Sequence, residues 1–346
     1  MPESIHLIPA AAESVWTRWL EPVPHDFYHT AAYHRFSQES GEGEASLLVY
    51  GTPERYLAWP YLLRALGDLR DVTSVYGYSG PLAYGCNPHD PFLKRAWHCI
   101  SEFWRGQKVV SAFTRFHPLL ENHQWAPAAV AAGPTVSIDL TLSEAANWHD
   151  YQPGLRNRIH RGRRLGMVTE VDASWNYLGH FVRFYHATIA RNHAAPYYFF
   201  PPDYFRRLKR ALGSHAFLLV TRLGSDIAAA GIFIEHRGIV QNHFCMNNEA
   251  YLRLSPSKIL LDDVRRWARA RGNRVFHLGG GRGATEDSLF AFKAGFSRRR
   301  HAFYTGRWIL NAAAYSSLCR GLPCAAHDFF PAYRAPIARP EVLPTT

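Results

Sequence analysis

Lys293 stands between Phe292 and Phe296 in the stretch 275–296, VFHLGGGRGATEDSLFAFKAGF. The chain holds 34 arginines and only five lysines, Lys94, Lys108, Lys209, Lys258 and Lys293. Where arginine supplies nearly all the positive charge, a lysine set among phenylalanines is there for its compact ammonium. In a dry crevice such a group stabilises a developing oxyanion. The competing reading is a stem laid on apolar neighbours with its head in water. The β-branched and aromatic run before it ends in Gly279, Gly280 and Gly281. That pattern predicts a strand, a loop and a short amphipathic segment carrying the lysine.

The densest positive charge is 155–166, LRNRIHRGRRLG, with Arg156, Arg158, Arg161, Arg163, Arg164 and His160 and no acid among them. On a helix, Arg156, His160 and Arg163 share one face, and Arg158 lies near Arg161. An anionic ligand relieves that repulsion, and guanidinium forks match phosphate oxygens. The alternative is a solvated face partnered by acids such as Glu170 or Asp172. A second run, Arg298, Arg299, Arg300 and His301, either extends the same track or forms a solvated turn. The loop 74–82 sets Tyr76 and Tyr78 on either side of Gly77, giving rings and hydroxyls beside a close-approach backbone. Arg115 ends an apolar run and supplies a guanidinium for the same side of the site. PYYFFPP at 196–202 brings Tyr198 and Phe199 as a stiff aromatic wall, either lining a groove or packed as core. His243 and Phe292 complete the expected lining of a cleft.

Several local signatures are missing. The triple glycine lacks the GKS or GKT of a P-loop, and no dinucleotide fingerprint is present. There is no GxSxG. His243-x-Cys245 and the Cys319/Cys324 pair are poor metal spacings, so no metal is expected.

The 346 residues are 47% hydrophobic and 19% charged, the make-up of a globular protein with a length that suggests two domains. The net charge of +11, with 19 histidines in reserve, favours a polyanionic partner such as nucleic acid, a nucleotide or an anionic headgroup. No apolar run of about 18 residues is present, so no membrane span is expected, only peripheral membrane contact. The start MPESIHLIPAAAES lacks the pattern of a secretory signal. The five scattered cysteines read as reduced thiols, and the expected location is cytoplasmic.

These residues need elements to hold them. Residues 1–44 read as a helical lead-in with a polar loop. Strands are expected at 45–50 and 56–65 across a GTPE turn, and a shaped loop at 71–82. A helix follows over 90–106, then strands at 109–116 and 135–140. The second half predicts helices at 176–190 and 202–213. Three strands then fill 216–222, 227–235 and 238–245. A helix over 256–272 and a strand at 275–278, parallel to a neighbour, close the pattern. The tail from 311 either packs back or frays. The fold class expected is α/β, with two mixed central sheets and a crevice between them. Residues 1–145, completed by 305–346, form the first domain, and 146–304 the second.

Taken together, five segments resemble the FemABX family of aminoacyl-tRNA-dependent peptidyltransferases and its FemAB-like relatives in the GNAT superfamily. They are DVTSVYGYSGPL, LRNRIHRGRRLG, FVRFYHATIARNHAAPYYFFPPDYFRRL, NHFCMNNEAYLRLSPSKILLDDVRRWARARGNRVFHLGGG and DSLFAFKAGFS, spanning roughly 70–305 in the family's order. The resemblance implies two tandem GNAT-like domains. It implies transfer of an amino acid from aminoacyl-tRNA to the amine of a cell-wall precursor, small peptide or nucleoside-peptide acceptor. It places Lys293 near the reacting ester, Tyr76, Gly77 and Tyr78 on the acceptor side, and Arg156, Arg158 and Arg161 at the start of the second domain. No cofactor is implied beyond the charged tRNA. The chain departs from some family members in having no room near 189–212 for a helical-hairpin arm. The segment 247–258 also lacks the glycines that cradle pyrophosphate in CoA-dependent relatives. A CoA-dependent N-acyltransferase and a non-catalytic partner in polysaccharide or envelope assembly remain the alternatives.

Overall fold

The computed structural model describes residues 2–192, 195–324 and 329–336. The first half runs β1 (Ser4–Pro9), α1 (Glu13–Leu20), α2 (Ala31–Glu39), β2 (Glu44–Thr52), β3 (Arg55–Leu66), β4 (Leu69–Thr73), β5 (Leu82–Tyr84), α3 (Pro91–Gly106), β6 (Val109–Arg115) and β7 (Ala129–Asp139). After α4 (Glu144–Asp150) and α5 (Pro153–Arg164) come β8 (Met167–Asp172), α6 (Leu178–Arg191), α7 (Pro202–Leu212), β9 (Ala216–Leu223), β10 (Asp226–His236) and β11 (Ile239–Asn247). The chain then forms α8 (Pro256–Ala270), β12 (Val275–Gly280), α9 (Ser288–Ala294), β13 (Arg300–Ile309) and α10 (Ala312–Cys319).

All the strands join one sheet in the order β1-β2-β3-β4-β6-β13-β7-β12-β11-β10-β9-β8, with β5 on the side of β3. The order reads alike from both ends. Four antiparallel strands lead to one parallel pair, β4 with β6 at one end and β11 with β12 at the other. The last strand of each half is exchanged. β7 follows β6 in sequence yet pairs with β12, and β13 follows β12 yet pairs with β6. β7 and β13 then pair with each other and join the halves into one sheet rather than two.

Alternation along the strands sends side chains to two faces. Leu47 and Val49 of β2, with Ile232 and Ile234 of β10, enter a core shared by both halves beneath α1, α2, α6 and α7. The two helix pairs meet there, with the rings of Phe36 and Tyr204 4.9 Å apart. The opposite face carries two separate cores. One lies under α3, where the spacing of Phe92, Trp97, Ile100, Phe103 and Trp104 points to a helix; all but the partly buried Phe103 are buried there. Asp90 caps this helix by accepting from the Phe92 N–H at 2.8 Å, and Pro91 opens it. The other core lies under α5, α8 and α9.

Three elements differ from expectation. Residues 4–9 form a strand, not a helical lead-in, because β1 pairs along its whole length with β2. The shaped loop is shorter than 71–82, since Leu69–Thr73 is already strand and Leu82–Tyr84 is strand again. The run Arg298–His301, read as either an extension of the basic track or a solvated turn, leads into β13 at 300–309, a strand not expected from the sequence. Its Trp308 closes the first-half core by packing on Trp97 at 5.0 Å and Trp59 at 5.3 Å.

Trp308→Ala therefore removes the lid of that core and is expected to cost about 3 kcal/mol. Urea unfolding measures it; an unchanged midpoint would mean that β13 does not hold the first half together.

Candidate active site

β11 and β12 pair only at Ile239↔Val275, Val240↔Phe276 and Gln241↔His277, and then part. β12 turns to β7 through a register shift between His277 and Gly279. Beyond Gln241 and His277 the two strand ends therefore frame a wedge, and the expected chemistry gathers at its mouth.

Lys293 reaches this mouth from α9, whose start Asp287 caps by accepting from Phe290 N at 3.0 Å. The ammonium donates to the Gly280 carbonyl at 2.6 Å. Burial draws Lys293 down to about 8, against weak support from Cys245 and Asp287. It is charged at neutral pH and close to releasing its proton. Cys245, on β11, is pushed up to about 12 by its own burial and stays a neutral neighbour. Phe292 and Phe296 pack on each other, 5.6 Å apart, against the second-half core. Phe292, expected to line the crevice, is partly buried there.

Tyr78 enters the wedge from the first half. Its ring stands edge-on to His277 at 5.5 Å and to Phe303 at 5.2 Å. Burial raises its phenol, while Arg115 and the Gly280 backbone favour the ionised form. The glycine run has backbone reasons: Gly279 has φ +79°, and a Cβ on Gly281 would strike the Thr285 carbonyl at 2.0 Å. A Cβ on Gly279 would lie 3.3 Å from Lys293 Nζ and 3.8 Å from the Tyr78 hydroxyl, so both polar tips lie over this backbone. Gly77 has φ +126°, and a Cβ on it would strike the Tyr28 ring at 2.0 Å. Its role is to let the loop turn against Tyr28 and send Tyr76 and Tyr78 to opposite sides. Tyr76 lies by Tyr198 at 6.4 Å and parallel to Phe244, and its carbonyl accepts from Tyr33 Oη at 2.8 Å. His243 fills the space between Tyr28, Tyr33 and Tyr76, and burial lowers it to about 3. Tyr198 and Phe199 are exposed at 37% and 44%, so this part of the wall faces outward rather than into core.

Beneath Tyr78 runs a chain of buried polar groups that sequence reading missed. Asp26 Oδ2 accepts from Gln241 Nε2 at 2.7 Å and from His117 Nε2 at 2.9 Å, while its Oδ1 accepts from Phe27 N at 2.7 Å. Gln241 Oε1 then accepts from His277 Nδ1 at 2.7 Å. Because Asp26 takes the glutamine's N–H, the amide oxygen must face His277, and His277 must carry its proton on Nδ1. Its Nε2 is left as a bare acceptor with no partner. Burial holds this imidazole well below its usual range, so it is neutral. The four residues come from both halves and all are buried.

The arginine helix is only partly free. Its leading residue Gln152 donates its N–H to the Gly295 carbonyl at 2.9 Å, which ties the start of α5 to the end of α9. Arg156, however, donates to the carbonyls of Trp148, His149 and Tyr151. Arg163 pairs with Asp262 at 2.5 Å and Asp263 at 2.9 Å. Both are structural clamps, which corrects their assignment to phosphate. The acids that hold Arg163 come from α8, not from the expected Glu170 or Asp172. Arg158 has one long contact, 3.3 Å to the Arg253 carbonyl, and is exposed. Arg161 and Arg164 are exposed, without a partner among the described residues. Arg158 also lies near enough to Lys258, at the start of α8, to lower it alongside burial. In the second basic run, Arg298 pairs with Asp150 and Arg299 with Asp139, and Arg300 donates to backbone carbonyls. Arg298 and Arg299 nevertheless keep 84% and 56% of their side chains exposed. Concavities of about 420 and 360 Å³ occur elsewhere, and neither is lined by a residue of the Lys293 site.

Residues 149–293 match the acetyltransferase (GNAT) domain family. The structure of FemX superposes with a TM-score of 0.68 at 11% identity, covering 92% of this chain and 99% of that one. The chain has the FemX fold. The tandem GNAT protein from the clavulanic acid biosynthesis pathway aligns at TM-score 0.51 and 12% identity, over 88% of this chain and 98% of that one. The C-terminal domain of a putative lysylphosphatidylglycerol synthetase from Agrobacterium fabrum aligns at 0.52 and 18%, over 82% and 88%. No curated protein matches the sequence. In this FemX-like arrangement two GNAT-like halves share one sheet, and Lys293 and Tyr78 come from different halves. No helix among the described residues is long and apolar enough to cross a membrane.

Gln241→Leu leaves the Asp26 carboxylate short of a donor and His277 Nδ1 short of an acceptor, both buried. The expected cost is about 3 kcal/mol, or a fall of roughly 5 °C or more in the melting temperature. An unchanged melting curve would show that the polar chain does not clamp the halves.

Proposed function

We propose that the protein is an aminoacyltransferase. It takes an amino acid from aminoacyl-tRNA and joins it to the amine of a small peptide, nucleoside-peptide or cell-wall precursor. The observation that carries this reading is the Lys293 ammonium, drawn down to about 8 by burial, at a wedge mouth completed by a tyrosine from the other half.

An ester of a charged tRNA is already activated, so the protein needs chiefly to place the reactants and manage charge. The acceptor nitrogen attacks the carbonyl carbon, and the carbonyl electron pair moves onto oxygen. Lys293 faces that oxyanion and the leaving ribose oxygen. When the C–O bond breaks, the ammonium gives a proton to the departing oxygen. The neutral lysine then takes the proton that the new amide nitrogen sheds. A group near pH 8 can serve both steps. Tyr76, Tyr78 and Arg115 line the acceptor approach, and Arg158, Arg161 and Arg164 with Lys258 supply the anion-binding strip for the donor.

One observation favours this donor over an acyl-CoA. At the start of α8, where a pyrophosphate would need free backbone N–H groups, Ser257 N already bonds Asn247 Oδ1 at 2.9 Å. Lys258 N bonds the Ser255 carbonyl at 3.0 Å, and Ser255 itself is in a left-handed conformation that fixes the turn. The cradle is filled by the chain's own atoms.

Incubation with pooled tRNAs carrying labelled amino acids, with and without ribonuclease, tests the reading: transfer of label that ribonuclease abolishes is expected. Lys293→Ala should lower kcat by about a hundredfold or more. Lys293→Arg should not restore it, since the planar fork cannot replace the compact ammonium. The rate should fall as pH rises through about 8, where the ammonium is lost. Product formed only from acetyl-CoA, or full activity in Lys293→Ala, would overturn the assignment.

A further inference from the structure

A cavity of about 420 Å³ opens between α6 and α7, within the size range of small-molecule sites. Its floor is apolar. Leu178 and Val182 come from α6 and Trp175 from the turn before it, and all three belong to the core shared by the halves. Its charge is of one sign. Arg183 on α6 and Arg206 on α7 line it, and none of its eight lining residues is acidic. Both arginines are exposed, and neither meets a carboxylate among the described residues. Arg183 donates from Nη2 to His180 Nδ1 at 3.0 Å. Asp203, the acid in the first turn of α7, turns to Arg207 at 3.3 Å instead. The turn that supplies the floor is held under strain. Trp175 has φ +60°, a left-handed conformation that a bulky residue adopts only where its surroundings enforce it. Asp172 enforces it from one side: its Oδ2 accepts from Tyr177 N at 2.7 Å and its carbonyl from Trp175 N at 3.1 Å. Lys209 of α7 enforces it from the other, donating to the Ser174 carbonyl at 3.1 Å and lying over the Trp175 ring at 5.4 Å. Gly179, in the first turn of α6, leaves the rim open, since a Cβ there would meet nothing within 4 Å. The start of this 14-residue helix adds the positive end of its dipole.

An apolar floor beside two guanidiniums without carboxylates is complementary to a ligand anionic at one end and apolar at the other. One arginine fork satisfies a planar carboxylate. Two forks, one from each helix, suit the several oxygens of a phosphate. We propose that this cavity binds a small organic phosphate, with its ring or short chain on Trp175, Leu178 and Val182 and its phosphate between Arg183 and Arg206. The cavity shares no lining residue with the Lys293 wedge, so the proposal stands apart from the transfer reading.

The test is titration calorimetry with naphthyl phosphate. The controls are inorganic phosphate, which lacks the apolar part, naphthol, which lacks the charge, and naphthoate, a planar monoanion. Naphthyl phosphate is expected to bind at least about tenfold more tightly than any control. Arg183→Gln and Arg206→Gln should each weaken it by about tenfold or more, towards the affinity of naphthol, with circular dichroism confirming that both variants fold. Gly179→Leu should block the cavity while leaving the melting temperature unchanged or higher, because leucine favours helix over glycine. Lys293→Ala should bind like the unmodified protein. Equal binding of naphthyl phosphate and any control, undiminished binding in both arginine variants, or no binding at about 5 mM overturns the proposal. Binding to phosphatidic acid vesicles through the same two arginines, with none of the free ester, overturns it in favour of a lipid surface.

Discussion

The Asp26 carboxylate is the constraint on which the site depends. A buried charge is tolerated only when hydrogen bonds replace the water it has lost. Asp26 takes its donors from Phe27, His117 and Gln241, which places the entry to α2, the end of β6 and the middle of β11 around a single atom pair. Gln241 passes the constraint to His277 at the last paired rung of β11 and β12. The wedge therefore opens at a fixed height, and Tyr78 rests on the imidazole at its base. Lys293 meets Tyr78 over Gly279 because both halves are registered on that carboxylate.

The elements of the second half were largely legible in the sequence. Helices begin at prolines, strands alternate, and a strand after α8 runs parallel to its neighbour because a helix must return the chain. Lys293 stood out because lysine is scarce here, and Tyr76, Gly77 and Tyr78 because glycine between tyrosines marks a close approach. The polar chain was not legible. Its contacts join residues 91, 215 and 36 positions apart, and Asp, His and Gln on strands and loops leave no periodic trace. The same distance hid the fate of Arg156 and Arg163. One is held by carbonyls that composition does not reveal, and the other by acids about a hundred residues downstream. β13 was masked by its own start, where Arg298, Arg299 and Arg300 outweigh the alternation that follows.

Charge is used in two ways. Most arginines are pinned, to carboxylates or to the carbonyls at helix ends, where a planar fork with several donors satisfies more than one acceptor at once. The lysine at the wedge is different. A single compact ammonium is strongly hydrated in water, so burial is costly to its charged form and brings it within reach of neutral pH. Replacing arginine by lysine over most of this surface would loosen the fold. Replacing this one lysine by arginine removes a group that can give and take a proton.

The exchanged strands β7 and β13 bear on how the molecule is made. The sheet of the first half lacks its terminal strand until residues 300–309 have been synthesised, although β6 ends at Arg115. During translation β7 is available first and lies next in sequence to β6, so the nascent chain must leave β6 open while the whole second half emerges. A ribosome paused before β13 would expose an unpaired strand and a bare tryptophan cluster. Residues 300–309 thus decide whether the first half is sealed, and chaperone capture in that interval is the natural safeguard.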